Sequence, residues 1–269
     1  MIEVLDVQFR YSPDAAPALT GVSLSVQAGE MVGIVGPNGS GKSTLGRLMK
    51  GLVMPTDGRV LVDSLDTGAD GLAVRGLVGL VFQNPNSQIV NTVVENEVAF
   101  GPENAALATS EIRKRVSNAL QAVGMNGQEN AECHALTMAG KQRVAIASVL
   151  AMEPKYVVLD EPTTWLEPKA RWGLLREVMR WASAAGAGLV LITHRMDEAQ
   201  LCDRLYGMLH GEMVVSGSPD DLLRDEDIRT RLSLEIPESY MLTSELHDAG
   251  LPVEPGFALE WVAEAICPS

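Results

Sequence analysis

The chain has 269 residues, of which 46% are hydrophobic and 21% are charged, a composition typical of a globular protein with a sizeable core. Its net charge of −14 argues against a general nucleic-acid binder, because such a protein needs a basic face. Aromatic residues make up only 4% of the chain, so the core is predicted to be mostly aliphatic.

Neither a membrane-crossing run nor a targeting segment is evident. The longest apolar runs, such as Leu189–Ile192, are far shorter than the about 20 residues that cross a bilayer as a helix. Met1–Gln8 is typical of a strand and lacks the basic region and apolar core of a signal peptide. Cys133, Cys202 and Cys267 lack metal-ligand spacing and are interpreted as reduced structural thiols. We expect a cytoplasmic chain that contacts a membrane only through a partner.

The first part of the chain, from Met1 to about Phe82, alternates short β-branched runs with Gly, Pro and Asp turns. Within it, Glu30–Val35 has the pattern of a buried strand, and Ser43–Met49 is predicted to be a helix. A glycine-rich loop joins the two. A buried strand, a glycine-rich loop and a helix, in this order, are the context of a phosphate-binding loop.

The loop itself, Gly36–Ser43, matches the pattern G-x-x-x-x-G-K-[ST]. Its glycines let backbone N–H groups close around phosphates, and the N-terminus of the following helix favours negative charge. Lys42 is predicted to reach the β- and γ-phosphates of ATP, and the Ser43 hydroxyl to bind Mg²⁺. The predicted nucleotide-binding residues of this loop are Asn38, Gly39, Ser40, Gly41, Lys42, Ser43 and Thr44.

From about Asn84 to Val149 the pattern becomes helical. Glu111–Val123 carries apolar residues at helical spacing, and a second helix is predicted over Gly140–Met152. Lys141–Arg143 would then form the exposed first turn of that second helix. The whole segment is interpreted as a helical insertion into an α/β core.

Strand and helix patterns alternate again from Lys155 to about Leu209. Tyr156–Leu159 and Leu189–Thr193 are typical of buried parallel strands, with a helix predicted over Lys169–Ala184 between them. After Pro219 the chain becomes acidic and ends in a small tail. These patterns predict one α/β core with a short C-terminal appendage.

Two adjacent carboxylates, Asp160 and Glu161, follow the first of these strands. Parallel sheets bind ligands at the carboxyl ends of their strands. Asp160 is therefore predicted to hold Mg²⁺. Glu161 stands one residue further along, where it would orient or deprotonate an attacking water.

Together these motifs resemble the ABC ATPase family over nearly the whole chain. The resemblance implies an α/β fold of the P-loop NTPase (RecA-like) class, with a mainly parallel core and an antiparallel β subdomain. It also implies a helical subdomain at about residues 88–152 and a small C-terminal region. The corresponding domains are an ABC ATPase domain at residues 1–225 and the C-terminal region at residues 226–269.

The resemblance implies roles for three more residues. Gln83 matches the Q-loop glutamine, which contacts Mg²⁺ or the attacking water and links the site to the transport subunit. His194 matches the switch histidine that touches the γ-phosphate, and Tyr11 matches the aromatic residue that stacks on adenine. The resulting catalytic set is Glu161, His194 and Gln83, and the metal set is Ser43, Gln83 and Asp160.

A narrower resemblance, to the ATPases of energy-coupling factor (ECF) transporters, rests on Phe82–Gln88, Val94–Asn104 and the tail Arg229–Ile266. These transporters import vitamins or transition-metal ions. Their paired ATPases hold a membrane-embedded T component, which joins a substrate-binding S component. The resemblance implies these partners, a peripheral position at the cytoplasmic face of the membrane, and T-component helices docked on the segment after Gln83. No nucleic-acid partner is expected.

Two motifs that act across the dimer of such ATPases depart from the family pattern. The family signature, Leu-Ser-Gly-Gly-Gln, closes the ATP held by the other subunit. In Leu136–Gly140 of this chain, Thr137 keeps a hydroxyl, but Met138 and Ala139 replace two glycines that allow close backbone approach. The family D-loop, Ser-(Ala/Gly)-Leu-Asp, is replaced by Thr-Trp-Leu-Glu at Thr164–Glu167.

The contrast favours one half of a heterodimer. Residues that serve the chain's own ATP match the family, whereas Thr137 and its neighbours, which would serve the partner's ATP, do not. The alternative is a homodimer in which the substitutions are neutral. Other open classes are an ordinary ABC transporter ATPase, a soluble ABC protein that acts on nucleic acid or ribosomes, and a regulator without turnover. Acidity and the single P-loop disfavour the soluble class, and Glu161 and His194 disfavour the regulator.

Overall fold

The computed structural model describes residues 1–250, and within them ten strands form two sheets. The strands are β1 (Ile2–Phe9), β2 (Leu19–Val26), β3 (Met31–Val35), β4 (Asp57–Val62), β5 (Leu65–Asp66), β6 (Val78–Val81), β7 (Tyr156–Asp160), β8 (Gly188–Ile192), β9 (Arg204–Leu209) and β10 (Glu212–Gly217). The helices are α1 (Lys42–Met49), α2 (Gly71–Leu77), α3 (Val94–Asn104), α4 (Thr109–Ala122), α5 (Met138–Leu150), α6 (Pro168–Ala185), α7 (Met196–Ala199), α8 (Pro219–Arg224), α9 (Glu226–Leu232) and α10 (Glu238–Asp248).

The larger sheet has the strand order β10-β9-β3-β8-β7-β6, and its pairs from β9 to β6 are parallel. Its central strands are buried on both faces, as continuous apolar runs predict. In β7, Val157 and Leu159 face one hydrophobic cluster while Tyr156 and Val158 face the other. The four strands β3, β6, β7 and β8 end at one edge, so the loops that follow them lie side by side.

The smaller sheet is antiparallel, with the order β2-β1-β4-β5. Its apolar residues, among them Ile2, Val22 and Val60, pack with α1 against the second face of the parallel sheet. The α/β fold with a parallel core and an antiparallel β subdomain is therefore confirmed. From the residues themselves, only the short β-branched runs of this region are predicted, and the antiparallel pairing comes from the family resemblance.

The helical insertion consists of α3, α4 and α5, whose residues Val98, Val116, Leu120 and Ile146 belong to one hydrophobic cluster. Helix α5 begins at Met138, two residues before its predicted start, because the Thr137 hydroxyl caps it by accepting a bond from the backbone N–H of Gly140 at 3.2 Å.

The prediction that Lys141–Arg143 form an exposed turn was wrong. Gln142 lies one turn inside α5 and is 0% exposed. Arg143 donates a hydrogen bond to the carbonyl of Val123. Lys141 and Arg143 are half-buried, because this part of α5 contacts the segment after β6 through Asn86 and the end of α4 through Val123.

The C-terminal region is described as far as residue 250. Leu232 on α9 and Tyr240 on α10 join the cluster beneath the parallel sheet, so this part of the region packs on the α/β core. Cys133 and Cys202 are buried free thiols, whereas Cys267 and the end of the predicted tail lie outside the described residues. None of the helices within residues 1–250 has the length and apolar character that a bilayer crossing requires.

Candidate functional site

The loop between β3 and α1 has a backbone that requires glycine at both of its ends. Gly36 has φ 145°, and a Cβ there would lie 2.1 Å from the carbonyl oxygen of Met208. Gly41, the N-cap of α1, has φ 102°, and a Cβ there would lie 2.7 Å from Leu19. An L side chain is strained at both positions. The two glycines therefore fix a tight loop against β9 and the N-terminal sheet.

Lys42 lies at the first position of α1 and turns back over this loop. Its Nζ donates to the carbonyl oxygens of Gly36 at 2.7 Å and Pro37 at 2.9 Å. Burial lowers the pKa of Lys42, and the charges of Glu161 and Asp160 act in the opposite direction. The ammonium group is thus held directly at the mouth of a loop whose backbone can surround phosphate oxygens.

Ser43 and Asp160 bring two oxygen donors together from α1 and β7. The Ser43 hydroxyl donates to Asp160 Oδ1 at 3.0 Å. Asp160 is 5% exposed, and burial raises its pKa while the bond from Ser43 opposes that rise. A hydroxyl beside a buried carboxylate suits a hard cation such as Mg²⁺, and such a cation would offset the burial of the negative charge.

Glu161 lies in the loop after β7, at the edge of the parallel sheet, and contacts residues of the loops after β6 and β8. Gln83, which follows β6, donates from Nε2 to Glu161 Oε2 at 2.7 Å. His194, which follows β8, places Nδ1 at 3.3 Å from Glu161 Oε1. Thr164 Oγ1 donates to the Glu161 carbonyl oxygen at 3.1 Å. The residues predicted to act together therefore converge on one carboxylate, although Gln83 and His194 are far apart in sequence.

A cavity of about 670 Å³ opens over this loop and reaches Glu161. Among the residues that line it are Tyr11, Asn38, Gly39, Gly41, Lys42, Ser43, Thr44, Gln83 and Glu161. The lining does not include Ser40, Asp160 or His194. Asp160 bonds Ser43 and His194 contacts Glu161, which both line the cavity. The Ser40 hydroxyl is buried and has no hydrogen-bond partner within the described residues. A nucleotide phosphate chain fits a polar cavity of this kind, which has a backbone cradle at its base.

Tyr11 stands at the rim of this cavity with its side chain 57% exposed. Its hydroxyl lies 2.9 Å from Thr44 Oγ1 and accepts a bond from Arg47 Nη1 at 3.0 Å. Phe9 packs edge-on against the ring at a centroid distance of 4.9 Å. The phenol is thus anchored at its polar end, and the exposed ring can contact a flat base.

Thr137 is separated from the other predicted site residues. It caps α5 in the helical insertion and does not line the cavity over the phosphate loop. Next to it, Met138 Sδ lies 3.5 Å from the amide nitrogen of Asn86. Lys141 Nζ donates to Asn86 Oδ1 at 3.1 Å. The substituted signature therefore contacts the segment after β6 of its own chain.

One residue that supports the site was missed by sequence reasoning. Glu198 on α7 is 1% exposed and accepts bonds from Thr163 Oγ1 at 2.5 Å and Thr193 Oγ1 at 3.0 Å. Burial raises the pKa of Glu198, while the two threonine bonds oppose the rise. Its carboxylate ties the loop that carries Glu161 to the strand end that carries His194. An acidic residue in a short helix gives no sequence signal of such a role.

The profile of the ABC transporter family matches residues 19–164. The energy-coupling factor transporter ATP-binding protein EcfA1 of Symbiobacterium thermophilum is 45% identical over 259 residues, which cover 94% of this chain and 90% of that protein. The energy-coupling factor transporter ATP-binding protein EcfA of Methanothermobacter thermautotrophicus is 39% identical, and the match covers 97% of this chain and 84% of that protein.

Solved structures of ABC transporter components are also similar to this chain. CbiO1 from Clostridium perfringens, described as part of the ABC transporter complex cbiONQ, superposes with a TM-score of 0.77 at 33% identity, covering 90% of this chain and 98% of that one. A dimeric ATP-binding cassette in a post-hydrolysis state, bound to ADP and Pi, superposes with a TM-score of 0.74 at 28% identity, covering 81% of this chain and 99% of that one.

Proposed function

This chain is an ATPase of the ABC transporter family, of the energy-coupling factor type, and from that premise we propose that it powers the import of a vitamin or transition-metal ion as one half of an asymmetric ATPase heterodimer. Its proposed partners are a second ABC ATPase, a membrane-embedded T component and a substrate-binding S component. Its proposed place is the cytoplasmic face of the membrane.

The observation that carries the proposal is the convergence on Glu161. Gln83 and His194 contact opposite oxygens of this carboxylate, and the phosphate loop opens into the same cavity. These contacts support the proposal that Glu161 accepts a proton from an attacking water and that His194 contacts the γ-phosphate. These groups belong to a single chain, which supports a complete half-site for this chain's own ATP.

Binding of ATP is assigned to the residues of the loop and the rim. The backbone N–H groups of Asn38–Gly41 and the Lys42 ammonium would hold the phosphates, and Tyr11 would stack on adenine. Ser43, Asp160 and Gln83 would hold Mg²⁺, which supplies charge neutralisation for the β- and γ-phosphates when bound.

The proposed difference between the two ATP sites of the dimer follows from the first turn of helix α5. In a head-to-tail dimer, the N-terminus of this helix would face the partner's ATP. Thr137 keeps a hydroxyl there, whose oxygen accepts from the backbone N–H of Gly140 and whose own O–H can still donate to a phosphate. Met138 adds a side chain where a glycine would let the backbone approach the phosphate. The site closed by this chain would therefore bind ATP or turn it over slowly, while the site in its own phosphate loop would be hydrolytic.

The docking surface for the T component is proposed to be a groove of about 460 Å³ between the core and the helical insertion. Three apolar side chains line it and are solvent-exposed: Leu72 at 87%, Val90 at 67% and Phe100 at 46%. The segment that follows Gln83 forms part of this groove through Gln88. An apolar, exposed groove of this kind fits short helices presented by a membrane partner.

The experiment is ATP turnover by the purified chain, alone and mixed with a second ECF-type ATPase subunit from the same organism. We expect turnover only in the mixture, and its loss when this chain carries Glu161→Gln. Full turnover by the chain alone would overturn the asymmetric heterodimer in favour of a homodimer. Undiminished turnover in the Glu161→Gln mixture would overturn the assignment of the hydrolytic site to this chain.

A further inference from the structure

Trp165 lies in the turn that follows β7, at the D-loop position where related ATPases have a small residue. Its indole Nε1–H donates to the carbonyl oxygen of Gln83 at 3.0 Å. The side chain is 45% exposed, so the bond forms at the surface of the molecule and not in its core. The large side chain at this position is thus directed at a segment of its own chain.

Gln83 is consequently held at two points by one turn. Its side-chain amide donates to Glu161 Oε2 at 2.7 Å, and its main-chain carbonyl accepts from Trp165. The turn that carries both partners is itself closed, since Thr164 donates from its backbone N–H to the Glu161 carbonyl at 3.3 Å. Leu166 N–H donates to the carbonyl of Thr163 at 3.0 Å. Glu161 and Trp165 therefore lie in one closed turn, and both of them bind Gln83.

We propose that Trp165 is a positioning residue, which holds the main chain of Gln83 so that its amide stays aligned with Glu161. An alanine or glycine at this position has no donor that could reach the Gln83 carbonyl. The bond makes the turn after β7 and the segment after β6 move together. The inference rests on the proposed function, because it deepens the role of Gln83 at the hydrolytic site.

The size of the effect follows from the kind of bond. A hydrogen bond between neutral groups at a partly exposed position shifts a conformational equilibrium by a factor of about 2 to 10. Without the indole donor, Gln83 would occupy the aligned position in a smaller fraction of molecules. The rate of hydrolysis should fall by that factor, whereas the affinity for ATP should change little, since Trp165 does not line the nucleotide cavity.

The test is a double-mutant cycle with Trp165→Phe and Gln83→Ala, in the complex with the second ATPase subunit. Trp165→Phe keeps an aromatic ring and removes only the donor, and Trp172→Phe on α6 is the matched control. We expect Trp165→Phe to lower kcat about two- to ten-fold with KM for ATP changed less than about two-fold. The effect should vanish in the Gln83→Ala background. An unchanged kcat, or an equal loss in both backgrounds, would overturn the proposal.

A second measurement reports on the bond without turnover. In the ¹⁵N-indole spectrum of the full chain, the Trp165 Nε1–H signal, assigned by its loss in Trp165→Phe, should exchange slowly with water. It should remain protected in Gln83→Ala, because the backbone carbonyl is still present. Exchange at the rate of a free indole would contradict the proposal. Turnover that survives Glu161→Gln would instead count against the proposed function and leave the indole result standing.

Discussion

The region that surrounds Lys42 and Glu161 differs from the region around Met138 and Trp165 in what its side chains contact. In the first, residues from four loops turn toward one cavity and bind one another there. In the second, side chains at the positions that would face a partner in the proposed dimer contact neighbouring segments of their own chain, as Met138 does with Asn86. This contrast supports the proposal that the chain contains a complete half-site for its own ATP and contributes an altered surface to the ATP of a partner.

The replacement of two signature glycines by Met138 and Ala139 stabilises the first turn of α5. Glycine in a helix is less stable than other residues by about 1 kcal/mol, so Met138 and Ala139 strengthen the first turn of α5. In the proposed dimer, the same side chains would keep the partner's phosphate at a greater distance from the backbone. Stability of the helix and closeness to that phosphate would therefore be opposed at these two positions.

Removal of the Lys42 side chain should have the greatest consequence for the proposed half-site. Lys42→Ala removes the ammonium group that lies over the phosphate loop, and loss of such a charged donor lowers the rate of phosphoryl transfer about 100-fold or more. ATP turnover in the mixture with the second subunit measures the loss. Lys114→Ala, an exposed change on α4, serves as the control, and a comparable loss there would contradict the assignment.

The next prediction concerns Glu198, whose carboxylate joins the two loops that carry Glu161 and His194. Glu198→Leu leaves the Thr163 and Thr193 hydroxyls and the Arg195 guanidinium without their buried acceptor, which should lower the free energy of unfolding by about 3 kcal/mol. Thr163→Val removes one bond and should lower it by about 1 kcal/mol. Denaturant unfolding at neutral pH measures both. Equal values for the two variants would show that Glu198 does not join the two loops.

The contribution of Glu198 to the free energy of unfolding should depend on pH, and the sign follows from the direction of its pKa shift. Because the pKa of Glu198 is raised above 4.5 in the fold, the folded protein holds this proton more tightly than the unfolded chain does. The stabilisation is full below the unfolded pKa and is lost as pH rises through the folded pKa. Relative to Glu198→Gln, the unaltered chain should therefore lose stability as pH rises from about 4.5. A constant difference across this range would be the contrary result.

A smaller effect is expected at the first turn of α5. Met138→Gly combined with Ala139→Gly should let the N-terminus of α5 approach the partner's phosphate. We expect this chain alone, which should have no measurable turnover when unaltered, to gain measurable turnover, because a backbone N–H of the helix could then donate directly to that phosphate. Lys114→Gly carries a similar helix penalty and should leave turnover unchanged. A turnover that stays at the level of the unaltered chain would mean that these two residues do not limit the second site.

The smallest effect lies far from both regions, at the opposite end of β7. Asp63 bonds Lys155 Nζ at 2.6 Å and the Tyr156 hydroxyl at 2.9 Å. Although burial raises its pKa, these bonds and the terminal ammonium lower it to about 2. Asp63→Asn should lower the free energy of unfolding by about 1 kcal/mol after allowance for solvent screening. Asparagine tolerates the left-handed φ of 48° found there.

The pH dependence of this ion pair is the reverse of that of Glu198. A lowered carboxyl pKa stabilises the fold above the unfolded pKa, and the contribution disappears as pH falls from about 4 to about 2. The gap between the unaltered chain and Asp63→Asn should close over that range in urea titrations. ATP turnover of Asp63→Asn should equal that of the unaltered chain, and a loss of turnover would show that the two ends of β7 are coupled.

Features that depend on short stretches of chain are recognisable from the amino-acid sequence alone. Gly36–Ser43 could be read as a phosphate loop because its geometry is a local property of glycine and of the following helix. Asp160, Glu161 and His194 could be placed at strand ends because buried parallel strands are continuous apolar runs. The sequence also determined that Met138 and Ala139 depart from the signature pattern.

Tertiary structure decided the contacts between residues distant in sequence. Trp165 is unusual in the sequence alone, but its bond to Gln83 depends on how the loops after β6 and β7 pack together. Glu198 gives no sequence signal, because its role comes from Thr163 and Thr193 on two other loops. The sequence pattern predicts an exposed Gln142, and only the packing of α5 buries it. Local propensity is a property of a few adjacent residues, whereas burial and partner choice are set when separate segments meet in the fold.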